Sequence, residues 1–314
     1  MKLLIEHWGE HEDFALAEIE GIFTGHGIEY RIVEDDYPVR VIDAKAWEPL
    51  KNAGFIRYIS RHIASSSAIP EFTIELDDFA VRARKYFGLR EISGSEVERR
   101  IGMMIRGRVN LGNPKNMVRA PIARRIHAGL LLYDFKDENF ESRRPSNLPV
   151  SYPVTMHPRY TRALINLAAI PPRAKILDPF CGTGTILMEA SLMGYKAYGS
   201  DIDARMIRAA EINLRKFGAK AEITRRDVGE IEGEYDAVIT DPPYGRSSSS
   251  RGERIEDLYE RAFRKFSDIT DRVAIVLPGS WAVEIGKKYF NLEHEYRVRV
   301  HKSLTRHYCL FTNS

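Results

Sequence analysis

The spacing of apolar positions changes halfway along the chain. From residue 175 onward, short apolar runs predict strands at 175–178, 196–201, 221–226, 235–240 and 272–277. Stretches of helical period predict helices near 183–194, 204–217, 254–267 and 280–289, the second stopped at Gly218. Strands alternating with helices predict a parallel sheet wound on both faces. Two closing strands, near 292–301 and 307–312, follow without a helix between them and predict an antiparallel edge hairpin. The first half reads differently. Strand-like runs fall at 2–6, 28–34, 38–42, 56–63 and 71–76, and helix-like stretches at 12–24, 45–52 and 77–87, the pattern of small mixed α/β modules. The segment Phe140-Glu141-Ser142-Arg143-Arg144-Pro145-Ser146-Asn147-Leu148-Pro149-Val150-Ser151-Tyr152-Pro153 is polar, with three prolines, and is predicted to link the halves.

The length of 314 residues exceeds the roughly 250 that one core usually organises, so at least two domains are expected. No run of about 18 apolar residues occurs, so no membrane span is expected. The opening Met1-Lys2-Leu3-Leu4-Ile5-Glu6-His7 lacks the apolar core of a secretion signal and reads as a strand. Cys181 and Cys309 are the only cysteines, too few for a zinc ribbon, so no metal site is expected and a reducing cytoplasm fits. The net charge of +3 conceals an uneven distribution: residues 1–50 carry 4 basic against 12 acidic side chains, and residues 101–150 carry 9 against 4. Arg159 and Arg162 extend the basic stretch. A basic middle admits a nucleic-acid partner and equally a solvated face balanced by the acidic start.

Candidate chemistry lies at the ends of the later strands. Asp178-Pro179-Phe180-Cys181-Gly182-Thr183-Gly184-Thr185 sits between a strand and a helix, and its two glycines permit a tight turn with close ligand approach. The spacing is not that of a pyrophosphate-binding G-x-G-x-x-G turn, and an acid at the strand end suits an amino-bearing or cationic ligand. The next strand ends at Asp201, placed to accept ribose hydroxyls, with Ile202 beside it. The following strand ends at Asp227, placed to accept an adenine amino group, with Val228 beside it. Glycine turn, ribose acid and adenine acid together describe an adenosine ligand without phosphates, which S-adenosylmethionine fits.

Asp241-Pro242-Pro243-Tyr244-Gly245 follows the strand at 235–240, where ligands of such sheets bind. The lone pair of an exocyclic amino nitrogen, such as the 2-amino group of guanine, is delocalised into its ring. Two acceptors at its hydrogens draw it toward tetrahedral geometry. Asp241 supplies one and the Pro242 carbonyl, held by consecutive prolines, the other. Tyr244 offers a ring on which a base stacks. Downstream, Arg246 and Ser247-Ser248-Ser249-Ser250-Arg251-Gly252 read equally well as a lid, with Arg246 or Arg251 on phosphate, or as a plain connector.

On these motifs the chain resembles the archaeal THUMP-containing tRNA (guanine(10)-N2)-methyltransferases over most of its length. Residues 178–185 and 241–246 match that family's cofactor and catalytic motifs. Met156-His157-Pro158-Arg159-Tyr160-Thr161-Arg162-Ala163-Leu164-Ile165-Asn166-Leu167-Ala168 resembles the helix ahead of the cofactor turn, which implies His157, Tyr160 and Thr161 as contacts to the methionine portion. Ser303-Leu304-Thr305-Arg306 resembles the segment before the last strand. Val109-Asn110-Leu111-Gly112-Asn113-Pro114-Lys115 resembles a THUMP segment, with Gly112 where relatives tend to carry Lys.

The resemblance implies an α/β fold: a C-terminal Rossmann-like class I methyltransferase with a seven-stranded sheet, plus N-terminal ferredoxin-like and THUMP modules. The implied domains are 1–65 ferredoxin-like, 66–140 THUMP, 141–156 linker and 157–314 methyltransferase. Docking on the tRNA acceptor end is implied, with Arg106, Arg108, Asn113, Lys115, Arg119, Arg124, Arg125 and Arg246 as RNA-binding candidates. Some family members work with a small zinc-binding activator protein, whose zinc would be the partner's own. The alternatives are the same chemistry on another tRNA position or a ribosomal RNA guanosine, and a non-catalytic RNA-binding module on a methyltransferase fold.

Overall fold

A computed structural model describes residues 1–87, 91–152, 155–245, 253–301 and 304–313. The chain divides into two compact units. The first comprises Met1–Ala15, Ile28–Lys51 and Phe55–Asn139; the second comprises Leu16–Gly27, Asn52–Gly54 and Phe140–Ser314.

In order along the chain, the first half runs β1 (Lys2–His7), α1 (Glu12–Gly25), β2 (Tyr30–Asp36), β3 (Val39–Ala44), β4 (Ile56–Ser66), β5 (Ile74–Glu75), β6 (Phe79–Lys85), α2 (Gly94–Met103), β7 (Ile105–Arg106), β8 (Asn116–Ile122) and β9 (Ile126–Asp134). Seven of these strands form one sheet in the order β2-β3-β1-β4-β9-β8-β6, while β5 and β7 pair separately. The expected boundary near residue 65 falls at the end of β4, which pairs with β1 on one side and β9 on the other, so the sheet runs unbroken across it.

The stretch 77–87, expected as a helix, is instead strand β6, paired in parallel with β8 from Phe79↔Asn116 to Lys85↔Ile122. Its Ala, Arg and Lys residues favour a helix locally, but Phe79, Ala80 and Val81 are buried on the sheet, and tertiary pairing overrides the propensity. Asp78, which mimics a helix cap, sits at φ 52° and accepts from Asn110 Nδ2 at 2.6 Å. Helix α2 starts at a side-chain cap, the Ser93 hydroxyl accepting from Glu96 N at 3.1 Å, and buries Val97 and Ile101.

The second half runs α3 (Pro158–Leu167), β10 (Lys175–Asp178), α4 (Thr185–Leu192), β11 (Lys196–Asp201), α5 (Ala204–Lys216), β12 (Ala221–Arg225), β13 (Ala237–Thr240), α6 (Ile255–Ile269), β14 (Arg272–Leu277), α7 (Ser280–Gly286), β15 (Asn291–His301) and β16 (Leu304–Thr312). Its sheet has the order β12-β11-β10-β13-β14-β16-β15, parallel except for the β15–β16 hairpin expected from the sequence. On β16, alternation turns Cys309 and Phe311 toward the core under α6 and α7. It turns Arg306 and Tyr308 to the opposite face, where Tyr308 meets Tyr160 of α3 with ring centroids 6.1 Å apart.

Part of α1 belongs to this second unit for a steric reason. A Cβ on Gly21 would stand 2.0 Å from the Asn166 carbonyl oxygen, and one on Gly25 2.4 Å from that of Ile170. Backbone thus lies directly on backbone. The buried Glu18 carboxylate fixes the arrangement, accepting from Gly54 N at 2.6 Å and Asn166 Nδ2 at 2.9 Å.

The segment read as a linker is also built in. It forms short 3-10 turns at Phe140–Arg143 and Pro145–Asn147, and Arg143 is buried. The Arg143 guanidinium grips Glu189 of α4 through Nε at 2.6 Å and Nη2 at 3.2 Å. Arg162 of α3 reaches the same carboxylate through Nε at 2.9 Å. Both guanidiniums lie over the Phe140 ring. This cluster holds α3 and α4 at fixed spacing behind the turn that α4 follows.

Candidate active site

Four strand ends and one helix start meet on the carboxyl side of the second sheet. The glycine turn is held from three directions. Gly182 N donates to Asp201 Oδ2 at 3.0 Å, Cys181 N to Ser200 O at 2.9 Å, and Gly184 N to Cys181 O at 2.7 Å. Gly182 and Gly184 adopt φ of 49° and 81°, the left-handed region that favours glycine. A Cβ at Gly184 would also press on Ala210 of α5 at 2.9 Å, so this position admits glycine alone without local adjustment. Thr183 and Thr185 are buried with the turn, and Phe180 packs against the core.

Asp178 ends β10 and is 2 % exposed. Burial pushes its carboxyl up to about 7, against the pull of the Thr240 hydroxyl donating at 2.7 Å and Phe180 N at 3.2 Å. Asp201 is also raised by burial, and its Oδ1 accepts from Asp203 N at 2.8 Å. Ile202 follows it, with its carbonyl accepting from Arg225 Nε at 3.1 Å.

Asp227 has a different setting. It caps the turn Val228–Glu230, accepting from Gly229 N at 2.8 Å, and pairs with Arg261 of α6. Burial acts against its charge, but Arg261 and Gly229 N outweigh it and hold the carboxyl below its usual range. Arg261 also grips Glu253, so α6 braces this strand end. Val228 behind it is buried.

The start of α3 brings in His157, Tyr160 and Thr161. His157 caps the helix, its Nδ1 accepting from Arg159 N at 3.2 Å, and Thr161 donates its hydroxyl to the His157 carbonyl at 3.2 Å. Tyr160 lies between His157 and Tyr308.

At the end of β13, Asp241 Oδ1 accepts from the Tyr244 hydroxyl at 2.5 Å, and Asp241 Oδ2 faces Arg306 Nη2 at 3.5 Å. Burial raises the Asp241 carboxyl, and Arg306 and Tyr244 pull it back. Tyr259 of α6 donates to the Pro243 carbonyl at 3.2 Å and anchors the loop behind Pro242. Thr240, Tyr259, Arg261 and Tyr308 were not marked by sequence reasoning. Each lies far along the chain from the group it touches, and none stands in a motif.

The arrangement accommodates the expected ligand. The Thr185 hydroxyl, at the first turn of α4, is buried without a partner among the described residues. A Cβ built at Gly182 meets nothing nearer than the Phe180 carbonyl at 3.9 Å, so the turn is open toward a ligand. Acids at successive strand ends suit the ammonium and hydroxyl groups of S-adenosylmethionine.

The RNA-binding candidates lie in the first unit, except Arg246, which lies outside the described residues with Ser247–250 and Arg251. Arg106, Arg108, Asn113, Lys115, Arg124 and Arg125 are exposed. Arg108 stands near Asp77 and Asp78, and Arg124 and Arg125 pair with Asp36 and Glu34. Arg119 differs from them: 7 % exposed, it is bound to Glu6 at 2.9 and 2.8 Å and lies over the Tyr58 ring. It forms one wall of a groove of about 780 Å³ shared with Tyr58, Arg82, Arg84, Lys115 and Tyr133.

Residues 145–307 match the family described as RMKL-like, methyltransferase domain. The chain is 32 % identical to the tRNA (guanine(10)-N2)-dimethyltransferase of Methanothermobacter thermautotrophicus, with 98 % of each chain covered. It is 29 % identical to the protein of the same name from Methanocaldococcus jannaschii, covering 95 % of this chain and 96 % of that one. Among solved structures, TrmN from Thermus thermophilus shares the fold over 100 % of both chains, with a TM-score of 0.54 and 22 % identity.

Proposed function

The chain belongs to the tRNA (guanine(10)-N2)-dimethyltransferase family, whose members use S-adenosylmethionine to methylate a guanosine 2-amino group, and we propose that Asp241, Pro242 and Tyr244 carry out this transfer on guanosine 10 of tRNA. The observation that carries the reading is the placement of the Asp241 carboxylate at the end of β13, next to the strand whose end opens into the glycine turn. Asp241 and the Pro242 carbonyl accept the two amino hydrogens of the base, and Tyr244 stacks on it. When bound, S-adenosylmethionine supplies an electrophilic methyl group on a sulfonium. His157, Tyr160 and Thr161, the turn from Asp178 to Thr185, Asp201 with Ile202, and Asp227 with Val228 are the residues that hold it. After attack the amino nitrogen carries an extra proton that leaves readily, so Asp241 acts as an acceptor and need not be a strong base. A monomethylated guanine keeps one N–H, which either acceptor can hold for a second round.

The test is nucleoside mass mapping of an unmodified tRNA after incubation with the purified chain and S-adenosylmethionine. N2-methylguanosine or N2,N2-dimethylguanosine at position 10 is expected. Methylation at another position or on another atom would overturn the assignment. The same assay run with and without a small zinc-binding activator protein tests the partner that the resemblance implies. Among the described residues no cluster of His, Cys, Asp or Glu is arranged to hold a metal. No helix of the described residues is long and apolar enough to cross a membrane. A cytoplasmic setting accords with the tRNA substrate and with two buried free thiols.

The exposed cations of the first unit are proposed to bind tRNA phosphates. Removing Arg106, Arg108 and Lys115 together is expected to weaken tRNA binding. The slope of log Kd against log salt should fall by about one for each phosphate that is no longer neutralised. Turnover at saturating tRNA should hold. An unchanged salt slope would remove these residues from the docking surface. Charge removal is a cleaner test than deleting residues 1–150, because Leu16–Gly27 and Asn52–Gly54 belong to the second unit.

The raised carboxyl of Asp178 predicts a proton-linked cofactor affinity. With its folded value near 7 and its ordinary value near 3.8, the acid is neutral in the ligand-free protein below about pH 7. Its contribution to stability is full below pH 3.8 and is lost as pH rises through about 7. An ammonium group beside it favours the carboxylate. S-adenosylmethionine binding is therefore expected to release a proton and to tighten by up to about tenfold per pH unit between pH 5 and 7. Calorimetry in buffers of different ionisation enthalpy reads this release, and Asp178→Asn should abolish it.

A further inference from the structure

We propose that Arg306 is a positioning residue that keeps Asp241 ionised and leaves one of its oxygens available to the amino group of the target base. The inference rests on the reading of Asp241 given above and adds a residue that reading does not use. Three observations carry it. The Arg306 guanidinium is 7 % exposed and faces Asp241 Oδ2 at 3.5 Å, while Oδ1 is turned to the Tyr244 hydroxyl at 2.5 Å. The two oxygens thus have different partners: a fixed cation from β16 on one, and a neutral hydroxyl from the catalytic loop on the other. Arg306 also lies 5.9 Å from the centroid of the Tyr244 ring, so one side chain borders both the acceptor and the stacking surface.

The second observation is the alternation of β16. Arg306 and Tyr308 share a face, and Tyr308 packs against Tyr160 at the start of α3. The guanidinium is therefore carried by a strand paired with β15, where Arg306 stands opposite Val298, and with β14 from His307 onward.

The third observation is electrostatic. The groups facing Asp241 among the described residues are Tyr244 on its own loop, Arg306 and Tyr308 on β16, Tyr259 on α6 and Asp178 on β10. Burial pushes the three tyrosines above their ordinary value, so they stay neutral at any working pH. Asp178 contributes negative charge when ionised, and Arg306 is the cation of the set. Burial without that cation would push the Asp241 carboxyl further toward its neutral form, which has lost the charge that makes it a strong acceptor and has gained a donor that the amino hydrogens of guanine cannot use.

An incoming amino group meets the Tyr244 hydroxyl at Oδ1 and displaces it or shares the oxygen, which carries two lone pairs. Displacement exchanges one neutral donor for another and leaves the Arg306 pair intact. The freed Tyr244 ring then remains beside the base, where stacking needs it.

The experiment is the pH dependence of single-turnover methylation for the wild type, Arg306→Gln, Arg306→Lys, Asp241→Asn and the double variant Arg306→Gln/Asp241→Asn. In the wild type the rate should fall on the acid side as Asp241 protonates. Arg306→Gln should move that limb to higher pH, so that the loss is greatest on the acid side and narrows toward about pH 9. Arg306→Lys should keep the limb near its wild-type position, since a lysine keeps the charge. In the Asp241→Asn background, removing Arg306 should cause no further loss, because there is no carboxylate left to hold. An unmoved limb in Arg306→Gln, a Lys variant shifted as far as Gln, or an added loss in the double variant would each overturn the proposal. If Arg306→Gln does not fold, judged by S-adenosylmethionine binding, the Lys variant decides alone. A lysine limb shifted to higher pH then refutes the role, and an unshifted limb with turnover kept supports it. Failure of the wild type to form N2-methylguanosine would instead overturn the reading of the site.

Discussion

Asp241→Ala is expected to reduce methyl transfer to tRNA by at least about a hundredfold while S-adenosylmethionine affinity is unchanged. The size follows from what is removed. The carboxylate is one of two acceptors aimed at the nucleophilic nitrogen, and it stands in a partly buried setting where a preorganised charge is worth more than in water. Affinity for the cofactor should survive because the glycine turn takes its support from Asp201 and from the Ser200 carbonyl, while Asp241 is engaged with Tyr244 and Arg306. Asp241→Asn keeps an acceptor oxygen without its charge and should fall between wild type and Ala. The loss should appear in the rate of a single turnover at saturating tRNA and cofactor. An alanine variant that transfers label at the wild-type rate would remove Asp241 from the mechanism and leave the Pro242 carbonyl as the sole acceptor.

Legibility in the sequence followed how local each interaction is. The alternating strands and helices after residue 175 were readable because each element carries its own apolar period and its own stop, and the observed bounds of β14 (Arg272–Leu277) coincide with the expected 272–277. The glycine turn was readable because its constraint lies in its own backbone: Gly182 and Gly184 sit at positive φ. Stretch 77–87 was misread because helix propensity and strand pairing disagree there, and the deciding partner, β8, lies some forty residues away. Asp227 shows a related limit. It was expected at the end of a strand and lies two residues beyond β12, capping the turn Val228–Glu230, and its pairing with Arg261 was not legible, since nothing near Arg261 in sequence marks it as facing that acid. In the sequence Arg306 stands out only within Ser303-Leu304-Thr305-Arg306. Its approach to Asp241 depends on β16 entering the sheet antiparallel beside β14, a crossover that no local pattern encodes.

The same dependence on distant partners makes the buried cluster behind the cofactor turn the site of the largest expected stability effect. Glu189 is fully buried and is the shared counter-charge of Arg143 and Arg162, which are 6 % and 3 % exposed. Glu189→Ala leaves two guanidiniums inside the protein without an anion, which is expected to destabilise it by about 3–5 kcal/mol. For a unit of this size that corresponds to a fall in Tm of roughly 10 °C. Replacing the whole set, as in Arg143→Met/Arg162→Leu/Glu189→Leu, removes the desolvated charges together with their partner and should restore most of the stability. The contrast between the two variants in thermal unfolding identifies the cause. A triple variant as unstable as Glu189→Ala would show that packing, and not an orphaned charge, sets the loss. Because the cluster joins α3 to α4, whose first turns carry His157 to Thr161 and Thr185, the single variant should also weaken S-adenosylmethionine binding at temperatures well below its own Tm. The triple variant, with helix spacing kept by apolar packing over Phe140, should bind more nearly as the wild type does.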